Sequence, residues 1–217
     1  PGPGEFFLGA MSATLIDGDA AIRAAAKDRR AELTFIPDWD IQAAYDQAAG
    51  LGRQHWTGPW TAEEHLAEAA AAEARGDWAG AAAFTGAALN LTDDAATWGE
   101  FARRQLQAGI ADTNQQWYFY TQAFNSAVNA YLRAANPALR HTILVTMADA
   151  LERNGRGRDM VQALRLAQSL QERTDTAALL DDAIGKYGFR IAETVVQSDL
   201  ARPRICATFS EDLVASG

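Results

Sequence analysis

The sequence contains one strong nucleophile, the thiol of Cys206, in the stretch "PRICATFSEDL". A cysteine attacks substrates or binds metals as a thiolate, which needs a nearby histidine, cation or metal. No histidine lies in the flanking sequence. We therefore predict that Cys206 is a small apolar side chain buried on a β-strand, since unpaired cysteines are among the most often buried residues. A single cysteine also excludes an intrachain disulfide and a multi-cysteine metal site.

The three histidines, His55, His65 and His141, are widely separated in the sequence. His65 and Glu68 are one helical turn apart and would supply half of a metal site. No second histidine pair completes it, so we expect both side chains to lie on a solvated helix face.

Two other stretches only partly match functional motifs. Asp17 and Asp19 in "DGDAAIRAAAKD" lack the further ligands and central glycine of a calcium loop, which favours a helix cap. The glycines of "GRGRD" from Gly155 follow no predicted strand, as a dinucleotide site would require. With no paired carboxylates and no catalytic triad, we predict no catalytic residue, metal, cofactor or enzymatic activity.

Four consecutive aromatic residues, "WYFY" from 117 to 120, indicate a surface that binds another molecule. One helix face cannot bury four consecutive side chains, so some must meet a second neighbour or solvent. Because arrays of helices commonly bind peptides or partner domains on a concave surface, we predict a partner-binding surface at Trp117, Tyr118 and Tyr120. The alternative is burial of all four rings between two flanking helices.

The composition excludes some partners. Of the 217 residues, 48% are hydrophobic and 22% charged, a balance typical of globular proteins. The net charge of −9 argues against nucleic acid as a partner. No apolar run approaches 18 residues, so any membrane association would come through parts of the protein N-terminal to this chain. The opening "PGPGEFFLGAM", residues 1–11, resembles a protease-site and cloning remnant.

Helix caps recur at short intervals and predict up to nine helices before residue 189. Thr61 and Glu64 form a capping box, Asp77 is an N-cap, and Asn136 precedes a proline at the first helical position. A long helix is predicted over residues 113–135. Several helices are expected to end at glycine or asparagine–glycine, namely at Gly50, Gly76, Gly109, Gly155 and Gly188.

Two stretches of the chain match each other, "LAEAAAAEARGDWAGAAAFTGAAL" and "MADALERNGRGRDMVQALRLAQSL". Each predicts a small-residue helix, a glycine turn and a second helix with alanine and large apolar residues at fixed offsets. The segment "GDWAGAAAFTGAALNLTDDAATW" resembles the tetratricopeptide pattern, in which small residues let paired helices approach. We predict an all-α fold: N-terminal helices and a loop over 12–60, then a tetratricopeptide-like array of antiparallel helix pairs over 61–188.

The apolar period changes from about 3.6 to 2 after Gly188. "FRIAETVV" and "RICATF" alternate as two strands, and "SDLARP" between them is typical of a turn. The C-terminal segment 189–217 therefore predicts a β-hairpin. A lone two-stranded hairpin is marginally stable in water, so this one must dock on the helices or begin a β-domain.

The terminal stretch "YGFRIAETVVQSDLARPRICATFSEDL" resembles the junction in bacterial alpha-2-macroglobulins where a helical region meets the first macroglobulin β-domain. The similarity includes a proline-R-x-C-x-x-F-S-E/D-x-L strand, present here as Pro203, Arg204, Cys206, Phe209, Ser210, Glu211 and Leu213. The upstream "NAYLRAANPALRHTILVTMADALERNGRGRDMVQALRLAQSL" is also similar to that helical region.

The resemblance implies a periplasmic protease inhibitor, with proteases as targets of the full-length protein. The family's Cys-x-x-Glu-Gln thioester does not occur in this chain, since Cys206 is followed by "ATF". The implied role is a non-catalytic interaction or spacer module that contacts neighbouring macroglobulin domains or a protein partner. The alternative is a free-standing tetratricopeptide-type adaptor that binds a peptide or an envelope protein.

Overall fold

The computed structural model describes residues 26–188, 191–197 and 204–209, with strand side chains described only at 194–196 and 204–207. These residues form nine helices packed in antiparallel pairs and one two-stranded hairpin, which confirms the predicted all-α fold. The helices are α1 (26–32), α2 (Asp38–Gln54), α3 (Ala62–Ala74), α4 (Trp78–Thr92), α5 (Ala95–Ala111), α6 (Gln116–Arg133), α7 (Pro137–Arg153), α8 (Gly157–Leu170) and α9 (Thr174–Tyr187). The strands are β1 (Ile191–Gln197) and β2 (Arg204–Phe209).

The predicted N-caps of three helices are present. At α3, Thr61 Oγ1 accepts from the backbone N–H of Glu64, whose carboxylate accepts from the N–H of Thr61 at 2.8 Å. Asp77 caps α4 by accepting from the N–H of Gly80 at 2.9 Å. Asn136 caps α7 in the same way, with Pro137 at its first position. These side chains satisfy backbone donors that a helix N-terminus leaves unpaired.

The two matching sequence stretches form two helix hairpins, α3–α4 and α7–α8. Both turn through a glycine with a left-handed backbone, at Gly76 (φ 77°) and Gly155 (φ 74°). Glycine adopts this conformation without the steric cost that a Cβ would add. In the first hairpin, buried alanines lie where the helices meet, and Ala69 and Ala81 are both fully buried.

Two predicted helix ends are wrong. α2 continues past Gly50 to Gln54, and α5 continues through Gly109 to Ala111. At Gly109 the glycine makes room for a ring, because a Cβ there would lie 2.5 Å from Cε1 of Tyr120. The long helix is also shorter than predicted, since α6 begins at Gln116 after a turn in which Asp112 accepts from the N–H of Asn114.

Successive helices pack on each other from α3 to α9, whereas α2 packs on α6 and α4. Leu33, Ile36 and Ile41 belong to the same buried cluster as the large side chains of α5 to α8. The described part of the segment 12–60 therefore shares its core with the segment 61–188.

A buried polar bridge fixes α2 and α5 to α6. The side-chain amide of Gln47 donates to Ser126 Oγ at 3.0 Å, and Ser126 Oγ donates to Gln105 Oε1 at 2.7 Å. Asn129 donates to the carbonyl of Ala44 at 2.7 Å. Because buried polar groups are costly when unpaired, these bonds select one arrangement of the three helices.

An arginine at the α7–α8 turn joins distant parts of the chain. Arg156 pairs with Asp40 of α2 at 2.6 Å and with Asp159 at 2.8 Å. Its guanidinium also lies 5.0 Å from the ring centre of Phe124 on α6. This arginine therefore ties the N-terminal end of α2 to α6 and α8.

The hairpin strands pair antiparallel, with Val195 opposite Cys206 and Val196 opposite Ile205. All described strand side chains are exposed, and Val196 and Ile205 are 65% and 75% exposed. Among the described helices, none is both long enough and apolar enough to cross a membrane.

Candidate binding site: an aromatic cleft beside α3 and α4

The loop "HWTGPW", residues 55–60, connects α2 to α3. Gly58 has a positive φ of 56°, and a Cβ there would lie 3.0–3.3 Å from ring atoms of Trp56. The Trp56 ring therefore lies over Gly58, yet Trp56 remains 84% exposed. Glycine is needed here for both the backbone conformation and the space.

This loop and one face of α4 enclose a cleft of about 300 Å³. Its walls are mostly apolar, and none of the lining residues is an aspartate, glutamate, lysine or arginine. The lining residues are Gln54, His55, Trp56, Thr57, Gly58, Pro59, Trp60, His65, Ala83, Phe84 and Ala87.

Three rings form one continuous aromatic wall of the cleft. The planes of Trp60 and Phe84 are 8° apart with centres separated by 6.1 Å. The ring of His65 lies 5.3 Å from Trp60 and 6.4 Å from Phe84. At these spacings the three rings contact one another, so a ligand would stack on the wall and not between its members.

His65 is buried within this wall, with 4% of its surface exposed. The expectation that it lies on a solvated face with Glu68 is wrong, because the loop folds over it whereas Glu68 is exposed. His65 Nε2 lies 2.9 Å from the carbonyl of Thr57, which can only accept, so Nε2 carries the proton. Nδ1 is buried and has no hydrogen-bond partner among the described residues.

His55 forms the base of the cleft and rests on Gly86 of α4. A Cβ on Gly86 would lie 2.5 Å from Cδ2 of His55. Burial lowers the pKa of His55, although its hydrogen bond to the carbonyl of Ala83 opposes this shift. Asn90 donates to the carbonyl of His55 at 2.8 Å and fixes the start of the loop.

The aromatic run on α6 divides between surface and core. Trp117 and Tyr118 are 75% and 49% exposed. Tyr120 is only 8% exposed, and Arg153 lies 5.4 Å from its ring centre. Tyr120 therefore does not belong to the exposed surface predicted to bind a partner, since its ring packs against Gly109 of α5.

The remaining candidates that the structure describes do not assemble a reactive centre. Cys206 is exposed, so its predicted burial is wrong, because none of the described helices covers this part of β2. Asp17 and Asp19 lie outside the described residues. Across the part of the chain that the structure describes, no group of three or more His, Cys, Asp or Glu side chains could hold a metal ion.

Sequence reasoning missed the cleft, although a signal was present. The stretch "WTGPW" places two tryptophans around a glycine and a proline, directly before the capping box that starts α3. Exposed aromatic residues on a glycine–proline turn are typical of a binding loop. The sequence could not show that His65 and Phe84 would complete the wall from two different helices.

Comparison with known proteins finds no matching family model, no matching curated protein and no matching solved structure.

Proposed function

We propose that this chain is a non-catalytic interaction or spacer module of a bacterial alpha-2-macroglobulin-like periplasmic protease inhibitor. The observation that supports this most directly is the exposure of the hairpin. Neighbouring strand residues point to opposite faces of a sheet, yet Val195 and Val196 are both exposed, as are Ile205 and Cys206. Over the strand residues whose side chains are described, the hairpin thus shows no buried face of the kind that a stable sheet requires.

Further strands would supply that buried face. In this proposal the helices form a rigid base, and the hairpin projects from α9 to begin a macroglobulin β-domain. The stretch "PRICATFSEDL", which carries the resemblance, includes β2 itself. The module would then position the β-domains against a partner or against one another, without chemistry of its own.

Hydrogen exchange on two lengths of the protein tests this proposal. We expect the amides of β1 and β2 to exchange rapidly in the present chain and to become at least about tenfold slower in a longer product of the same gene, as strand pairing requires. The amides of α5 serve as an internal control and should not change. Equal exchange of β1 and β2 in both proteins would contradict the proposal, as would a longer product that inhibits no protease.

The second candidate is a free-standing adaptor, favoured by the exposed rings of Trp117 and Tyr118. Here the double change Trp117→Ala and Tyr118→Ala should weaken capture of a protein partner while the helical circular dichroism stays unchanged. Trp39→Ala is a matched control, because Trp39 is also 75% exposed but lies on α2. Equal capture of the partner by the wild type, the double variant and Trp39→Ala would show that Trp117 and Tyr118 are not part of the binding surface.

A further inference from the structure

The shape of the cleft between the loop 55–60 and α4 is fixed by specific residues of the loop and of α4. The backbone at Gly58 orients Trp56, and the missing Cβ of Gly86 admits the ring of His55. The capping box at Thr61 fixes the end of the loop, and Asn90 fixes its start. Each of these devices positions a residue of the cleft.

We propose that this cleft binds the side chain of a tryptophan or tyrosine carried by an extended, basic segment of a protein partner. The inference is independent of the macroglobulin proposal, since it uses only the cleft and the surface next to it.

The ring preference follows from the shape and polarity of the cleft. The nearly parallel rings of Trp60 and Phe84, with the tilted ring of His65 beside them, favour stacking of another flat ring. The volume of about 300 Å³ is at the lower end of known ligand sites, so it fits one side chain better than a large cofactor. None of the lining residues is a carboxylate, so the cleft itself offers no negative charge to pair with a bound cation.

The ring must also carry an N–H or O–H group. In the neutral imidazole of His65, protonation at Nε2 makes Nδ1 an acceptor, and this acceptor has no donor. An indole N–H or a phenol O–H would supply it, whereas leucine and phenylalanine cannot. Because Nδ1 is covered in the free protein, we expect part of the loop 55–59 to move aside when the ligand enters, while Trp60 and Phe84 keep the parallel arrangement on which the bound ring stacks.

The acidic residues of α3 favour a peptide over a free ring, and they outnumber the one positive charge that Arg53 adds in the last turn of α2. The first two turns of α3 carry Glu63, Glu64 and Glu68, all exposed, and α3 contains no lysine or arginine. The hydrogen bonds from the backbone and side chain of Thr61 lower the pKa of Glu64, so this carboxylate stays charged at neutral pH. Basic residues on either side of the bound ring would meet this acidic surface.

Calorimetric titration with short blocked peptides tests the proposal. We expect Lys-Gly-Trp-Gly-Lys to bind with a Kd below about 1 mM and more tightly than free indole. Replacing its tryptophan by 1-methyltryptophan should weaken binding about threefold to tenfold, the loss expected for one hydrogen bond. The analogue with glutamates in place of lysines should bind about twofold to fivefold more weakly at low salt, with the difference fading as salt increases.

Variants of the protein separate the site from general stability. His65→Phe keeps a ring in the wall, so it should still bind the peptide but no longer distinguish tryptophan from 1-methyltryptophan. Trp60→Leu should weaken binding, whereas the matched variant Trp39→Leu on α2, a position that is 75% exposed, should not. In the wild-type protein, the indole N–H signal of Trp60 should shift during an NMR titration.

Several results would overturn the proposal. These are no saturable binding up to about 10 mM, equal affinity for a leucine peptide, or tighter binding of free indole than of the peptide. Unchanged discrimination against 1-methyltryptophan in His65→Phe would remove the assigned role of Nδ1. Because that comparison uses two ligands on one folded variant, a loss of stability cannot imitate it.

Discussion

The imidazole of His55 occupies the space that the side chain of any other residue at position 86 would need. A Cβ on Gly86 would lie 2.5–2.7 Å from three atoms of this ring. Gly86 lies inside α4, where glycine normally weakens a helix, so the contact with His55 explains the glycine at this position. The geometry of the loop 55–60 therefore depends on the absence of a Cβ atom at position 86 of α4.

Gly86→Ala should destabilise the protein by about 1–3 kcal/mol, because the methyl group would displace His55 from a packed site. Urea unfolding measures this change. Gly99→Ala is the control: its Cβ would meet only Ile143 at an ordinary 3.5 Å. The control should stabilise α5 by about 0.5–1 kcal/mol. If both variants were stabilised equally, His55 would not rest on Gly86 as described.

Ser126→Ala should lower the free energy of unfolding by about 1–3 kcal/mol, since it leaves the buried Oε1 of Gln105 without the hydroxyl that donates to it. Gln47, in contrast, keeps its bonds to Gln122. Ser169→Ala provides the comparison, because the Ser169 hydroxyl bonds the carbonyl of Leu166 on an exposed face. That change should be close to neutral. Similar losses of unfolding free energy in the two variants would mean that the buried polar bridge does not contribute to stability.

His141 should make the fold sensitive to mild acid. It is 1% exposed, and within the described part of the chain neither ring nitrogen has a hydrogen-bond partner. Burial, and then the charge of Arg173, lower its pKa. Between this lowered pKa and about 6.5, the unfolded chain binds more protons than the folded one, so stability should fall as pH decreases through that window.

The matched variant for this effect is His141→Leu, measured by urea unfolding between pH 5 and pH 7.5. It removes both unpaired nitrogens, so it should be more stable than the wild type at pH 5 by about 1 kcal/mol or more. Its stability should also vary less with pH. Part of the pH dependence should remain, because burial lowers the pKa of His55 too. An unchanged slope would show that His141 does not titrate on unfolding.

The thiol of Cys206 should react with a disulfide reagent in the native protein as fast as an exposed model thiol, because Cys206 is exposed on β2. Absorbance of the released thiolate follows the reaction, and the urea-unfolded protein gives the reference rate. A native rate more than about tenfold slower would indicate that the strand is covered.

Local signals predicted the helices well, whereas contacts between helices decided where the prediction failed. The caps at Thr61, Asp77 and Asn136 depend on residues three or fewer positions away, so the sequence contains all the information they need. The helix end assigned to Gly109 failed because glycine can also admit a neighbouring group. At Gly109 that group is the ring of Tyr120, eleven residues later.

In the candidate site, too, local patterns predicted some features, whereas features that depend on long-range contacts were missed. The exposure of Trp117 and Tyr118 follows from a run of aromatics too long for one face of a helix. The burial of His65 required a loop to fold back over α3, and the exposure of Cys206 required that no helix cover β2. Neither arrangement can be deduced from residue type and spacing.

The packing of α2 on α6 has a consequence during protein synthesis. Asp40 is 116 residues from its partner Arg156, so α2 leaves the ribosome on the order of ten seconds before that arginine is made. Until then, Ile41 and Leu51 have no completed core to enter, although α3 and α4 can already pair. We expect nascent chains that end before α6 to recruit chaperones through α2 and to release them once α8 has emerged.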